Sequence, residues 1–238
     1  MMLHIPDVLS SEEAAQLRDR LLAAQWVDGN ETSGPGAAQA KRNRQLPETG
    51  AAARAGQEIV GKALMANATF LSAALPHTIF PPLFNRYGPG ETFGAHVDNA
   101  IRYHAATGTR IRTDLSATLF LTPPDEYDGG ELIVEGIERG GDQAQGEGGG
   151  ARSYKLPAGS LLLYPSTTLH RVAEVTRGER VSCFLWLQSL VADNAAREML
   201  FDLDTSVQAL SADRGATDHQ VLKLTQLYHN LVRRWAQS

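Results

Sequence analysis

The chain has 238 residues, 42% of them hydrophobic and 21% charged, with 22 Gly, 11 Pro, a single Cys and a formal net charge of −5. That length can bury a substantial core, and the ordinary Gly and Pro content excludes fibrous, collagen-like and broadly disordered chains. The acidic balance provides no footprint for nucleic acid or anionic lipid, and lone Cys183 excludes an intrachain disulfide or a thiolate zinc cluster.

Any metal must therefore be held by His and carboxylate. Met1 to Asp7 lacks the basic and apolar regions of a signal peptide. No segment approaches the roughly 18 apolar residues needed to span a bilayer. The expectation is a soluble, cytoplasmic protein with neither a membrane nor a nucleic-acid partner.

In chain order, three zones emerge. Residues 1–75 read as helical. Ser10 and Glu13 have capping-box spacing ahead of an apolar stripe of Ala14, Leu17, Leu21 and Leu22. A polar stretch from Asp28 to Gly50 interrupts, and a second amphipathic run follows through Ile59, Val60, Ala63, Leu64, Asn67, Phe70 and Leu71.

Residues 76–190 change period to two. Asp114 to Thr122 alternates Leu115, Ala117, Leu119 and Leu121 against Ser116, Thr118, Phe120 and Thr122. Arg180 to Gln188 alternates Val181, Cys183, Leu185 and Leu187 against Arg180, Ser182, Phe184 and Trp186. Leu132–Val134, Tyr154–Leu156 and Leu161–Tyr164 are further strands, separated by turn signals at Asp128-Gly129-Gly130 and Pro157-Ala158-Gly159. Short strands at such spacing predict a sandwich or barrel. Gly140 to Gly150 reads as a hairpin tip, because a phosphate loop would need a Lys-Ser/Thr finish that is missing. Residues 191–238 return to helix, with stripes at Met199, Leu200, Leu203, Val207 and Leu210, and at Val221, Leu224, Tyr228, Leu231 and Trp235 behind an Asp218 cap. These stripes suit packing on the sheet or a homo-oligomer contact.

His96-Val97-Asp98 is the first chemically informative feature. On an extended strand its imidazole and carboxylate share one side, although a surface salt bridge is the better explanation of an isolated pair. His170, 72 residues beyond Asp98, completes a two-His, one-carboxylate set, the facial triad of non-haem Fe(II) with open positions for a 2-oxo acid and O₂. Arg180, ten residues further, is placed to grip the far carboxylate of a dicarboxylate cosubstrate, with Ser182 on the same strand face. A surface arginine and a half-exposed serine are the bland alternatives. Asn85 and Tyr87 share a face if extended and offer hydrogen bonds to a 2-oxo acid; a tyrosine of an ordinary core strand is the competing reading.

Asn85-x-Tyr87, Gly88-Pro89-Gly90, His96-x-Asp98, Asp128-Gly129-Gly130-Glu131-Leu132, His170 and Arg180-x-Ser182 together resemble the Fe(II)/2-oxoglutarate dioxygenase superfamily. Phe84–Tyr87, His96–Arg102, Arg112–Ser116, Leu163–Ser166 and Tyr228–Leu231 narrow the resemblance to bacterial PKHD-type hydroxylases, relatives of prolyl 4-hydroxylases associated with iron uptake. The resemblance implies an α+β fold: a double-stranded β-helix (jelly-roll) core with N-terminal supporting helices and a C-terminal helical extension. It implies Fe(II) at His96, Asp98 and His170, and 2-oxoglutarate at Arg180, with O₂ consumed and L-ascorbate as an auxiliary cofactor. Asn85 and Tyr87 match an Asn-x-Tyr cosubstrate motif of AlkB-type relatives. Phe120 departs from the pattern, standing where animal prolyl hydroxylases carry a cosubstrate-binding Tyr. Gly140–Gly150 also reads as an insertion near the site entrance.

The activity implied is hydroxylation of a small molecule, peptide or protein side chain coupled to 2-oxoglutarate decarboxylation. A non-enzymatic jelly-roll binding metal or a small ligand is the alternative; it would keep the triad and not need Arg180. His104 competes for a ligand role but has no carboxylate two residues on, and Arg102 and Arg110 either line the substrate mouth or are solvated. No Gly-x-Ser-x-Gly turn supports a serine hydrolase.

Overall fold

The computed structural model describes residues 1–32, 41–104, 108–135 and 150–237. After strand β1 (Leu3–Ile5), helix α1 (Ser11–Leu22) begins at a full capping box: Ser10 N–H donates to Glu13 Oε2 at 2.8 Å, and Glu13 N–H donates to Ser10 Oγ at 3.2 Å. Two orphan amides are thereby satisfied, and Ala14, Leu17 and Leu21 are buried as the stripe predicts.

The polar stretch contains more order than its composition suggests. Strands β2 (Val27–Asp28), β3 (Lys41–Arg42) and β4 (Arg44–Gln45) join the edges of the two sheets. Pairing with distant strands, invisible to local periodicity, orders them.

The second amphipathic run is two helices rather than one. Helix α2 (Ala51–Ala66) stops at Asn67, whose side chain accepts from Phe70 N–H at 2.8 Å and so caps α3 (Ala68–Ala74). Asn67 on the apolar face is thus a cap, in the role that asparagine favours. On α2, Gly56 lets the ring of Phe84 approach closely: a Cβ there would meet it at 2.6 Å.

The strands that follow are β5 (Pro76–Ile79), β6 (Leu83–Tyr87), β7 (Thr92–His96), β8 (Ile101–His104), β9 (Thr109–Arg112) and β10 (Leu115–Phe120). Beyond them come β11 (Asp128–Gly129), β12 (Leu132–Val134), β13 (Arg152–Tyr154), β14 (Leu161–Pro165), β15 (His170–Val172), β16 (Val175–Arg177) and β17 (Arg180–Ser189). The strand predicted at Tyr154–Leu156 lies two residues earlier, and part of the Asp128-Gly129-Gly130 turn signal is the short strand β11.

The major sheet runs β1-β14-β10-β17-β6-β4-β2, with β5 also on β17, and the smaller runs β13-β12-β15-β7-β3. This is the double-stranded β-helix architecture, open rather than a closed barrel. The alternation of β10 and β17 has a direct meaning. Leu115, Ala117, Leu119, Val181, Cys183, Leu185 and Leu187 join the core cluster that contains the buried faces of α1, α2 and α3. Ser116, Thr118, Arg180, Ser182, Phe184 and Trp186 line a cavity on the other face.

Helices α4 (Asn194–Arg214) and α5 (His219–Trp235) close the chain. Asp218 caps α5 through Gln220 and Val221 N–H. Tyr228, Leu231 and Trp235 pack on Leu75, Val191, Ala196 and Leu200, so much of the second stripe is spent inside the chain. Met199 leaves the first stripe and is 54% exposed. Most of Gly140–Gly150 lies outside the described residues.

Candidate active site

His96 is the last residue of β7, and His170, the first of β15, is its direct antiparallel partner. Cross-strand pairing puts the two rings 4.3 Å apart between centroids. Asp98 is not on the strand: β7 ends at His96 and the chain turns out of it, yet ligand atoms of His96, Asp98 and His170 all lie within 4.8 Å of one another. Asp98 Oδ2 is 3.7 Å from His170 Nε2. Val97, between the two, points outward and is 51% exposed.

The ring nitrogens are assigned by their surroundings. His96 Nδ1 lies 2.8 Å from Gly94 O and His170 Nδ1 lies 3.0 Å from Thr168 O. A carbonyl only accepts, so each Nδ1 carries a proton and Nε2 is the nitrogen left to ligate a metal. Burial, then the neighbouring His170, holds the His96 pKa below the ordinary imidazole value, which favours the neutral, ligating form. Ser116 Oγ donates to Asp98 Oδ2 at 2.6 Å and accepts from Ser166 Oγ at 2.7 Å. Phe93 stacks on His96 at 3.7 Å, and Tyr164 meets His170 edge-on at 5.2 Å. Two imidazoles with Nε2 turned inward and a carboxylate of fixed aim suit a ferrous ion with open positions.

Deeper in the cavity, Arg180 is 1% exposed. Its Nη1–H donates to Ser182 Oγ at 2.6 Å, Ser182 Oγ donates to Asn85 Oδ1 at 2.5 Å, and Asn85 Nδ2 reaches Tyr87 Oη at 3.4 Å. Register explains the cluster: Arg180 pairs with Tyr87, and Ser182 with Asn85, across β17 and β6. The guanidinium lies 5.4 Å from both the Tyr87 and Phe120 ring centroids. Burial pushes the Tyr87 hydroxyl up to about 12, so it stays a donor. Arg180 Nε has no hydrogen-bond partner, and no carboxylate of the described residues pairs with this buried cation. A buried, unpaired guanidinium is expensive, and the carboxylate of a bound diacid would relieve that cost.

All seven residues singled out from the sequence line this one cavity: Asn85, Tyr87, His96, Asp98, His170, Arg180 and Ser182. Phe120 presents only a ring, so the neighbouring strand supplies no hydroxyl there. His104 lies outside the triad, buried on Phe80 with Glu48 at 3.9 Å. Sequence reasoning missed Lys41, Phe93, Ser116, Tyr164 and Trp186 as cavity residues. The alternation of β10 and β17 placed Ser116 and Trp186 on the correct face; nothing local marked Lys41, which arrives through pairing of β3 with Phe93.

The fold and site define a 2-oxoglutarate–Fe(II) oxygenase, and residues 82–188 match that superfamily. Residues 194–237 match the PKHD-type hydroxylase C-terminal domain. A PKHD-type hydroxylase of Burkholderia lata is 57% identical over 236 residues, 99% of both chains, and one of Caulobacter sp. is 55% identical over the full length of both. The chain belongs to the PKHD-type hydroxylases, enzymes of the dioxygenase class. Two solved structures share the fold at low identity. A Pseudomonas putida prolyl-4-hydroxylase has a TM-score of 0.52 at 19% identity, covering 79% of this chain and 92% of its own. HygX of Streptomyces hygroscopicus, with nickel, 2-oxoglutarate and hygromycin B bound, also scores 0.52, at 17% identity over 80% of this chain and 84% of its own. Among the described residues no helix is long and apolar enough to cross a membrane.

Proposed function

We propose that this chain couples oxidative decarboxylation of 2-oxoglutarate, giving succinate and CO₂, to hydroxylation of a C–H bond. His96, Asp98 and His170 hold Fe(II). Arg180 grips the far carboxylate of 2-oxoglutarate, with Ser182 and Asn85 fixing the guanidinium and Tyr87 offering its hydroxyl. O₂ is the second cosubstrate, and L-ascorbate serves as auxiliary reductant. When bound, the ferrous ion with 2-oxoglutarate and O₂ supplies the oxidising chemistry, one oxygen atom ending in succinate and the other in the product. The protein's share is position and exclusion of water. Ser116 aims the Asp98 carboxylate, the Gly94 and Thr168 carbonyls hold the imidazoles with Nε2 inward, and Tyr164 with Phe93 walls the site.

The observation that carries this reading is Arg180: a cation 1% exposed, without a carboxylate partner among the described residues, in the cavity that also holds the His-Asp-His cluster. A metal-binding module without catalysis has no use for it. The test is anaerobic binding of 2-oxoglutarate to the Fe(II)-loaded protein, followed by succinate formation in air. If neither occurs, the reading fails. If Arg180→Ala binds metal and leaves the protein's function unaltered, the non-enzymatic module is favoured instead.

A further inference from the structure

We infer that the primary substrate carries an anionic group of the carboxylate class, and that Arg102, whose guanidinium lies over the cavity residue Trp186, is the residue that reads it. The inference rests on the oxygenase reading above and concerns the end of the cavity that reading leaves unassigned.

Arg180 and Trp186 are six residues apart on the same face of β17. At about 3.3 Å per residue they are separated by roughly 20 Å. A five-carbon diacid anchored at Arg180 cannot extend that far, so whatever meets the Trp186 end is not the cosubstrate. Arg102, on β8, lays its guanidinium 3.9 Å from the centre of the Trp186 ring and 5.4 Å from that of Phe80. Stacking covers the flat face of the guanidinium and leaves its N–H edge for hydrogen bonds. Among the described residues no side-chain hydrogen bond or ion pair holds that edge; the acidic groups that act on it through space are Asp98, which Ser116 holds in the triad, and Glu48, which faces His104.

A second cation adds to the first. Lys41 is 6% exposed and lines the cavity beside Phe93, its ammonium held by Gly29 O and Gln45 Oε1, each at 2.9 Å. Both partners are neutral, and the carboxylates of Asp28 and Glu48 act on it only through space. Arg102 is close enough for the two positive charges to repel. Two cations from separate strands, Lys41 in the cavity wall and Arg102 over Trp186, make an electrostatic funnel for an anion. Apolar side chains share the rim: Val97, Ile101 and Leu169 are exposed beside the ligand residues. The substrate class that fits is an organic acid whose hydrocarbon part sits on this rim while its carboxylate meets the Arg102 edge.

The test uses the full chain loaded anaerobically with Fe(II) and 2-oxoglutarate. N-acetylated proline, leucine and phenylalanine, each as free acid and as primary amide, are titrated by calorimetry. The acids should bind about tenfold tighter than their amides, as a charge-assisted bidentate contact implies. Arg102→Gln should reduce that ratio to about two or less, and Arg102→Lys, which keeps the charge and loses the fork, should give a ratio between the two. Equal affinity of acid and amide, a ratio unchanged in Arg102→Gln, or no binding by any acid would overturn the inference. 2-Oxoglutarate affinity, measured in the same samples, separates the two layers. Wild-type protein that fails to bind 2-oxoglutarate sinks the oxygenase reading. If Arg102→Gln loses 2-oxoglutarate binding through misfolding, the acid-to-amide ratio of Arg102→Lys decides.

Discussion

Ser116 donates its hydroxyl proton to Asp98 across 2.6 Å, so the carboxylate of a loop residue takes its aim from the wall of the major sheet. Ser166 closes the chain from the next strand connection, donating in turn to Ser116. Ser116 is thus a positioning residue, and Ser116→Ala should weaken Fe(II) binding about tenfold to a hundredfold with no loss of secondary structure. Metal titration alongside circular dichroism checks this; an unchanged affinity would mean that the backbone alone orients Asp98.

Removing a ligand should uncouple stability from metal. A ferrous or manganous ion at about a hundredfold excess over its Kd should raise the unfolding free energy by about 2.7 kcal/mol. Asp98→Ala should show no such increment at the same concentration. Chemical denaturation with and without metal measures both numbers.

The Arg180–Ser182–Asn85 relay predicts a split between kinetic constants. Ser182→Ala deletes the acceptor that fixes the guanidinium and the donor to Asn85. About 1–2 kcal/mol of lost hydrogen bonding corresponds to a five- to thirtyfold rise in the KM for 2-oxoglutarate. The kcat should change little, because Ser182 lies away from the triad. A fall in kcat with KM unmoved would contradict the relay.

Lys41 gives a pH signature. Burial, reinforced by Arg102, lowers its pKa from 10.5 to about 8. Between those values the unfolded chain holds a proton that the folded chain has released, so stability rises with pH through this window. The gain is at most on the order of 3 kcal/mol and is complete above 10.5; below about 8 it is absent, since the ammonium is charged in both states. Urea melts of the ligand-free protein at pH 7.5, 9 and 10.5 should show the rise in wild type and not in Lys41→Met.

Arg112 binds Asp114 in bidentate fashion, with Nε to Oδ1 at 2.6 Å and Nη2 to Oδ2 at 3.0 Å, while Asp114 Oδ2 also accepts from Ser189 N–H at 2.9 Å. The carboxylate is buried and the arginine one-third exposed. Arg112→Ala should therefore cost about 1–2 kcal/mol, below the figure for a fully buried pair, because solvent screens the cation. Thermal or denaturant unfolding reads it directly.

Much of this site was legible in the sequence because it follows period two. Asn85 with Tyr87, and Arg180 with Ser182, fall on common faces by strand alternation, and the structure sets them against each other by register. His170 opposite His96 could be anticipated as chemistry but not as pairing, since register between strands 74 residues apart leaves no local trace. Asp98 reaches the same point by a route the spacing did not foresee, from a loop just past its strand. Lys41 was not read at all, and Arg102 was read only as a residue that either lines the substrate mouth or is solvated. One sits in a polar stretch ordered by distant partners, and the other owes its place to Trp186, far along the chain. Asn67 misled for a simple reason: at helical spacing, a cap and a face residue look alike until a hydrogen bond distinguishes them.

Strand β17 has one row of side chains in the core and the other in the cavity. A one-residue insertion or deletion within it would send Val181, Cys183 and Leu185 to the chemistry and Arg180, Ser182 and Phe184 into the oil. Point substitutions can trade stability or specificity separately there, but length cannot drift at all. Insertions accumulating in descendants of this chain should therefore fall in its connections, and Arg180–Ser189 should remain ten residues long wherever the enzyme still works.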